Sequence, residues 1–333
     1  MNTETLDQPI VADVAVSAPA VVIESAAPAV AAVAEGPNPF IALGLDGALV
    51  RAVSDLGYTQ PTEVQAKVIP LAMGSGKADE ASIDLMVSSQ TGSGKTAAFL
   101  LPVLNTLIAQ KAIEAAAEQA EFERQRAQAA ASGEAAPKRA KRKNPMQSRN
   151  FKAAVPGALV LCPTRELAQQ VAQDAIELVK HCKNLRVANV VGGMPYQLQI
   201  AKLQNADLVV ATPGRLLDLQ RSLQIKLDKV QFLVVDEADR MLDLGFADDL
   251  EEVHQMTAQR KQTMMFSATF APRIQQLAMR VMHDGGANVQ KITIATPQQG
   301  HDNIQQKLYW ADHAQHKRKL LDHWLRDTTI NQA

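Results

Sequence analysis

The sequence has few cysteines, few aromatic residues and no excess of either charge. Only two of its 333 residues are cysteines, Cys162 and Cys182, and only 4% are aromatic. Two cysteines exclude a disulfide framework as the basis of the fold, and they are expected to be reduced thiols of a cytoplasmic protein. The formal net charge of −1 excludes a uniformly basic surface, so any contact with nucleic acid must be local.

Long hydrophobic runs are also missing. No stretch approaches the roughly 18 consecutive apolar residues of a membrane span, so no membrane contact is expected. The Ala/Val tract near the N-terminus is interrupted by Glu24, Pro28 and Glu35, which is atypical of a signal peptide. The composition of residues 1–36 predicts a flexible tail, which serves as a tether or contacts a protein partner.

From Phe40 onward, short apolar runs alternate with helical patterns. Such continuous apolar strands between helices predict an α/β fold, in which a parallel sheet is covered by helices on both faces. Ligands of these sheets bind at the carboxyl ends of the strands. The predicted strands are 85–87, 158–162, 187–191, 208–211, 232–235 and 263–266.

Two parts of the chain depart from this alternation. Residues 111–150 begin as an Ala/Glu/Gln helix and end in a basic run at 138–143, which is either a solvated loop or a contact to RNA phosphates or a protein. Residues 295–303 have the composition of a linker. A strand is predicted at 304–311 and a helix at 317–326, and about 30 residues are too few for an independent core. Nearby histidines (His301, His313, His316, His323) are irregularly spaced, which favours solvated positions over a metal site.

A glycine-rich segment follows the first strand. Gly92 and Gly94 allow backbone N–H groups to point at a phosphate, Lys95 supplies a positive charge, and the Thr96 hydroxyl suits Mg²⁺. The usual phosphate-loop pattern has a glycine where this chain has Ser89. The predicted nucleotide-binding residues here are Ser89, Gln90, Thr91, Gly92, Ser93, Gly94, Lys95 and Thr96.

Two carboxylates directly follow the strand 232–235. Asp236 is suited to hold Mg²⁺ through water, and Glu237 to polarise the water that attacks a terminal phosphate. Together with Lys95 they form the predicted catalytic set. After the strand 263–266 come Ser267 and Thr269, whose hydroxyls either bond the carboxylates or cap the next helix, and one of them is expected to be a cap.

Further motifs give these elements a family resemblance. From about Phe40 to Ala333 the chain resembles the N-terminal RecA-like domain of the DEAD-box RNA helicases, especially the bacterial RhlE-type members. Residues 38–66 resemble the family's Q motif. The resemblance carries the following RNA-facing residues: Pro163, Thr164, Arg165, Gly192, Gly193, Thr212, Pro213, Gly214 and Arg215.

This resemblance implies a P-loop NTPase domain at 37–294 that binds ATP and Mg²⁺. It also implies that the domain contacts the RNA backbone, independently of the RNA sequence. It implies that Gln65 reads adenine, that Tyr58 lies against the base and that Phe40 supports that pocket. Coupling to a second domain falls to Asp239, Ser267 and Thr269.

One family feature is missing after Thr269, the histidine- and arginine-rich motif of the second RecA-like domain. An arginine supplied across the cleft contributes about 10³–10⁵ in rate. We therefore expect a chain that is truncated within the second domain (304–333) and that hydrolyses ATP slowly by itself. Two other functions stay open, a non-catalytic ATP-gated RNA-binding module or regulator and a DNA-directed motor of the same superfamily.

Overall fold

Seven parallel strands form one sheet in the order β3-β4-β2-β5-β6-β1-β7. The computed structural model describes residues 38–74, 83–132, 152–294 and 310–326. Its strands are β1 (Leu85–Ser88), β2 (Ala158–Leu161), β3 (Val187–Val190), β4 (Leu208–Ala211), β5 (Phe232–Val235), β6 (Gln262–Ser267) and β7 (Gln290–Thr293).

Helices pack on both faces of this sheet, as predicted. Four of them, α1 to α4, cover one face, and α5 to α9 cover the other. The helices are α1 (Gly47–Asp55), α2 (Glu63–Met73), α3 (Lys95–Ser132), α4 (Arg165–Leu178), α5 (Tyr196–Leu203), α6 (Pro213–Arg221), α7 (Ala238–Asp243), α8 (Ala247–Met256), α9 (Pro272–Val281) and α10 (Ala314–Leu325).

The two hydrophobic cores explain the continuous apolar strands. Successive side chains of a strand point to opposite faces. In β1, Leu85 and Val87 therefore enter the core beneath α1–α4, whereas Met86 enters the core beneath α5–α9. Because both faces are covered, every position of β1, β2, β4 and β5 is buried.

The register of the sheet aligns the carboxyl ends of its strands. Ser88 at the end of β1 lies opposite Ser267 of β6. Leu161 at the end of β2 lies opposite both Ala211 of β4 and Val235 of β5. The segments that follow these five strands therefore lie along one edge of the sheet.

The predicted strands 85–87 to 263–266 are all present, but β7 was missed. Only one residue of β7, Ile292, is buried, so this edge strand has no apolar run that would reveal it. Helix α4 ends at Leu178, so Cys182 lies beyond the helix. Cys162 follows β2 directly, and both thiols are free.

The two C-terminal predictions have different outcomes. Helix α10 confirms the predicted helix at 317–326, although it starts earlier, at Ala314. Trp310 and Ala311 are not in a strand, and the rest of the strand predicted at 304–311 lies outside the described residues. The tail 1–36, the basic run 138–143 and the linker 295–303 also lie outside them, and the domain boundaries stay predictions.

Helix α3 is much longer than the sheet requires. Its first part is buried, and from Lys111 it continues to Ser132 with mostly exposed side chains, which confirms the helical start of the insertion. By length and composition alone, α3 could also cross a membrane, with a mean hydropathy of 1.4 over its most apolar window. Half of that window is buried inside the protein, and core helices pass the same test.

Candidate functional site

The loop between β1 and α3 has the backbone that its glycines predict. Gly92 and Gly94 have φ angles of 79° and 90°, a region that residues with a Cβ rarely adopt. Ser89 does not have a positive φ, so its backbone does not need the glycine of the usual pattern. The Ser89 N–H instead donates to the Ser267 carbonyl at 3.2 Å, and Ser93 Oγ lies 3.2 Å from Ser89 Oγ.

Gln65 supports this loop from below. Its Oε1 accepts from the Thr62 N–H at 3.0 Å in a capping box, and its Nε2 donates to the Gly94 carbonyl at 3.2 Å. A Cβ at position 94 would lie 2.6 Å from that Nε2, so only glycine fits the close approach. Gln65 is buried and does not line the cavity described below. Its side-chain amide still has one N–H and one lone pair that are free for a further hydrogen bond. Adenine recognition by Gln65 stays a prediction.

Lys95 begins α3 and folds back over the loop. Its Nζ donates to the Ser89 carbonyl at 3.1 Å, and the side chain is buried. An ammonium has three donors, so further ones remain for phosphate oxygens. The N-terminal end of α3, with its free N–H groups and positive dipole, adds to the attraction for an anion.

Asp236 lies at the end of β5, where its N–H donates to the Leu161 carbonyl of β2 at 3.0 Å. The side chain is buried, and its Oδ1 accepts from the Glu237 N–H at 2.9 Å. Burial raises the pKa of Asp236 to about 6, against the attraction of the Lys95 charge and with a contribution from the Glu237 carboxylate. A cation bound beside Asp236 would favour its ionised form.

Glu237 has an unusual backbone conformation. Its φ and ψ of 49° and 54° are left-handed, which is uncommon for a residue other than glycine and is concentrated at functional sites. The conformation occurs at the N-cap of α7, directly after Asp236. Glu237 Oε2 lies 3.4 Å from Arg240 Nη1 one turn further along.

A cavity of about 410 Å³ brings the loop and the two carboxylates together. Of the residues predicted for ATP binding and catalysis, those lining it are Tyr58, Thr91, Gly92, Gly94, Lys95, Thr96, Asp236 and Glu237. Phe40, Gln65, Ser89, Gln90 and Ser93 do not line it. Phe40 is completely buried in the core beneath α1–α4.

The far wall of this cavity was missed from the sequence. Besides Leu56 and Ala97 it consists of residues on one face of α4, and their spacing of three or four positions is the signal that reveals such a face. These residues are Leu167, Gln170, Asp174, Glu177 and Leu178. Tyr58 is 40% exposed at this wall. Burial, followed by the charges of Asp174 and Glu177, raises the pKa of its phenol.

The segment after β6 supports the phosphate loop but does not line the cavity. The Ala268 carbonyl accepts from Ser88 Oγ at 3.0 Å, next to the bond between Ser89 and Ser267. Ser267 Oγ is buried without a hydrogen-bond partner among the described residues, and Thr269 is exposed. The expectation that one of these hydroxyls caps the next helix was wrong, because Ala271 is the N-cap of α9. The coupling role of Asp239, Ser267 and Thr269 stays a prediction.

A second, more open cleft of about 520 Å³ lies at the ends of β2, β3 and β4. The predicted RNA-facing residues that line it are Pro163, Thr164, Arg165, Gly192, Thr212, Gly214 and Arg215. Gly193 and Pro213 do not line it, and Pro213 is buried as the first residue of α6. Thr164 Oγ1 caps α4 at 3.3 Å from the Leu167 N–H, whereas Thr212 makes no side-chain cap bond to α6.

Positive charge and apolar surface meet in this second cleft. Arg165 is exposed and has no ion pair within the described part of the chain, and Arg215 Nε lies 3.8 Å from Asp218 Oδ2. Leu244 and Phe246, from the turn between α7 and α8, line the opposite side. Leu244 and Phe246 were missed because the turn is distant in sequence from the other motifs, whereas Glu166 and Asp218 follow predicted residues of α4 and α6 closely.

Comparison with known proteins agrees with this geometry. The sequence model of the DEAD/DEAH box helicase family matches residues 62–277, which include both clefts' motifs from Gln65 to Thr269. The chain belongs to the DEAD/DEAH box helicase family.

Several relatives within this family are similar over most of the chain. DEAD-box ATP-dependent RNA helicase 52A of Oryza sativa is 39% identical over 85% of this chain and 42% of its own length. ATP-dependent RNA helicase SrmB of Escherichia coli is 36% identical over 88% of this chain and 55% of its own. The chain thus spans about half the length of these curated relatives.

Solved structures of the family have the same fold. A hypothetical ATP-dependent RNA helicase from Sulfolobus tokodaii has a TM-score of 0.55 and 32% identity, covering 75% of this chain and 57% of that one. A DEAD box protein from Methanococcus jannaschii has a TM-score of 0.55 and 31% identity, covering 77% and 55%. The RecA-like fold predicted from the sequence is confirmed.

The order of strands in this DEAD-box domain connects the two clefts. Strands β1 and β5 lead into the first cavity, and β6 leads into the segment that supports its phosphate loop. Strands β2, β3 and β4 lead into the second cleft. The two groups meet where β2 and β5 are neighbours. Cys162, between β2 and Pro163, is buried beside the carboxylate pair. Burial, then the charges of Asp236 and Glu237, raises the pKa of its thiol well above the usual range.

The cavity offers oxygen ligands for Mg²⁺ beside the phosphate loop. The described residues contain no group of three or more histidine, cysteine or acidic side chains that could hold a metal by itself. Thr96 and Asp236 line the same cavity and offer two oxygen ligands. Mg²⁺ typically takes one or two protein ligands and completes its shell with water and phosphate oxygens, so this sparse set suits it.

Proposed function

We propose that this chain is the ATP- and RNA-binding part of an ATP-dependent RNA helicase that uses Mg²⁺. The observation that carries the proposal is the placement of the two clefts on one sheet edge, joined where β2 and β5 run side by side. A nucleotide in the first cavity and RNA in the second cleft would be held by adjacent strands of one rigid sheet. Binding at one site can then alter the other over a short distance.

In the first cavity each side chain has a separate role. Lys95 and the N–H groups around Gly92 and Gly94 bind the phosphates, and Mg²⁺ held by Thr96 and Asp236 would supply neutralisation of charge on the terminal phosphates. Asp236 and Thr96 position the metal. Glu237, with its left-handed backbone, accepts a hydrogen bond from the attacking water and orients it.

In the second cleft the donors suit a sugar–phosphate backbone and not base edges. Arg165 and Arg215 supply positive charge, and the Thr212 hydroxyl and the N-terminal N–H groups of α4 and α6 supply neutral donors. Such contacts bind RNA without sequence preference. Separation of short duplexes would follow when ATP and RNA bind together and hydrolysis releases the strand.

Binding of a fluorescent ATP analogue, with and without single-stranded RNA, tests this proposal. We expect Mg²⁺-dependent nucleotide binding that RNA strengthens, competition by RNA above DNA of the same sequence, and weaker RNA binding in R215A. R221A is the matched control, since Arg221 is exposed on the same helix, outside the cleft and paired with Glu252 at 2.8 Å. RNA binding that survives R215A, or nucleotide binding indifferent to RNA, would contradict the proposal.

Turnover distinguishes the helicase from its main alternative. RNA-stimulated release of phosphate supports an enzyme, whereas coupled binding without any turnover supports the ATP-gated RNA-binding module. A cytoplasmic location, for which the two free thiols are suited, is part of the same proposal and is tested by cell fractionation. The RhlE-type subtype also stays a prediction.

A further inference from the structure

The glycine pair after β3 lies under a side chain from another element. A Cβ added to the backbone at Gly192 would lie 3.2 Å from Arg165 Nη2 and 3.3 Å from Nε. A Cβ at Gly193 would overlap Arg165 Nη1 and lie 3.1 Å from Cζ. In both cases the three nearest atoms belong to Arg165. The guanidinium therefore rests on bare backbone that any other residue would occupy.

The loop that carries these glycines is itself fixed. Gln199 in α5 is fully buried, and its Nε2 donates to the Met194 carbonyl at 3.0 Å. At the other end, the Val190 carbonyl at the end of β3 accepts from the Thr212 N–H at 3.1 Å. The surface beneath Arg165 is thus held between a strand end and a buried amide.

The Arg165 guanidinium that covers this surface is otherwise free to move. The side chain is exposed and has no ion pair within the described residues. An exposed arginine has many rotamers, and ordering it in one of them costs side-chain entropy. Backbone that lies directly against the guanidinium reduces the rotamers open to the Arg165 side chain before RNA binds.

We propose that Gly192 and Gly193 form a seat for Arg165, and that the pair promotes RNA binding by orienting this guanidinium and not by touching RNA. The inference rests on the proposed function, because it takes the second cleft as the RNA site. The two glycines are then positioning residues, and their contribution to RNA affinity should vanish when Arg165 is absent.

A double-mutant cycle on the full chain tests the seat. The dissociation constant of a short single-stranded RNA is measured at several salt concentrations for the wild type, R165A, G193A and the double variant. Loss of one charged contact is expected to weaken binding about 10- to 100-fold. We expect about this loss in R165A, a similar loss in G193A, and no further loss in the double variant.

The salt dependence supplies a readout that a merely structural defect does not change. Removing one phosphate contact lowers the slope of log affinity against log salt by about 0.7 for a single strand. We expect this decrease in both R165A and G193A.

Two further variants separate the seat from backbone strain. Gly193 has a φ of 80°, so alanine there is strained in any case. G74A is the matched control, since Gly74 has a φ of 66° but no atom of the described residues lies within 4 Å of an added Cβ, and its RNA affinity should stay within about twofold of wild type. Gly192 does not have a positive φ, so alanine there is not strained, and the Arg165 guanidinium needs to shift only slightly to make room for its Cβ. We therefore expect G192A to lose less RNA affinity than G193A, and to lose none when Arg165 is also replaced by alanine.

The outcomes are distinct. Equal losses from G193A in the wild-type and R165A backgrounds would mean that the glycines act independently of Arg165, and would overturn the seat alone. A wild-type chain that does not bind RNA would overturn the seat and the proposed function together.

Discussion

Asp236 should make the protein less stable at neutral pH than it is with asparagine at that position. The folded pKa of about 6 lies above the ordinary value of 3.8, so the folded state binds a proton that the unfolded state has already lost. Stability therefore falls as the pH rises between these two values and is constant above them. The difference of about 2.2 between the folded and the ordinary pKa corresponds to about 3 kcal/mol of unfolding free energy.

The D236N variant removes this pH-dependent cost. Asparagine keeps an Oδ1 that can accept from the Glu237 N–H, so the local hydrogen bond survives. Because pH 5 lies between the two pKa values, roughly half of this loss of stability is already present at pH 5. We therefore expect the gain in unfolding free energy from D236N to be larger at pH 8 than at pH 5, by on the order of 1 kcal/mol.

Urea unfolding of D236N and wild type at the two pH values measures this gain directly. The matched control is D243N, because Asp243 is an exposed aspartate of α7 whose ion pair with Arg273 is on the surface. It should give no comparable pH-dependent gain. A D236N variant that is equally or less stabilised at pH 8 would refute the argument that burial outweighs the attraction of Lys95. D236N should also lose ATP turnover, because asparagine cannot replace the carboxylate as a metal ligand. The destabilising aspartate would therefore be kept for its function.

The remaining predictions concern other residues of the first cavity. K95A should abolish detectable nucleotide binding while the circular dichroism spectrum stays that of the wild type, and retained binding would remove Lys95 from the phosphate site. E237Q should bind nucleotide and RNA normally but lower the rate of phosphate release at least tenfold, and an unchanged rate would exclude Glu237 as the residue that orients water. Q65A should weaken nucleotide binding and reduce the preference for ATP over GTP, since it removes both the bond to the Gly94 carbonyl and the candidate contact to adenine; an unaltered preference would leave Gln65 with only its structural role.

The parts of the site that the sequence predicted well are those whose chemistry is local. A phosphate loop needs glycines at fixed positions before a lysine and a helix, and Gly92, Gly94 and Lys95 show this spacing directly. The two carboxylates behind β5 could be placed because a buried parallel strand has an apolar run that ends where its ligand edge begins. Both inferences require only neighbouring residues.

The parts that were missed depend on distant pairs. Thr62 and Gln65 have the spacing of a capping box, but nothing in the sequence indicates that Gln65 also contacts the Gly94 carbonyl, 29 positions away. The contact of Arg165 with the two glycines after β3 is equally invisible, because it joins α4 to another loop. Edge strand β7 lacks an apolar pattern, since only Ile292 is buried. Such features follow from packing, which a single sequence does not determine.

A crystal structure of this chain with Mg²⁺ and a non-hydrolysable ATP analogue tests the central claim most directly. We predict that the phosphates lie against the loop 89–94 with Lys95 within hydrogen-bond distance, and that the metal lies between Thr96 and Asp236. A nucleotide bound away from that loop, or a metal far from Asp236, would contradict the claim.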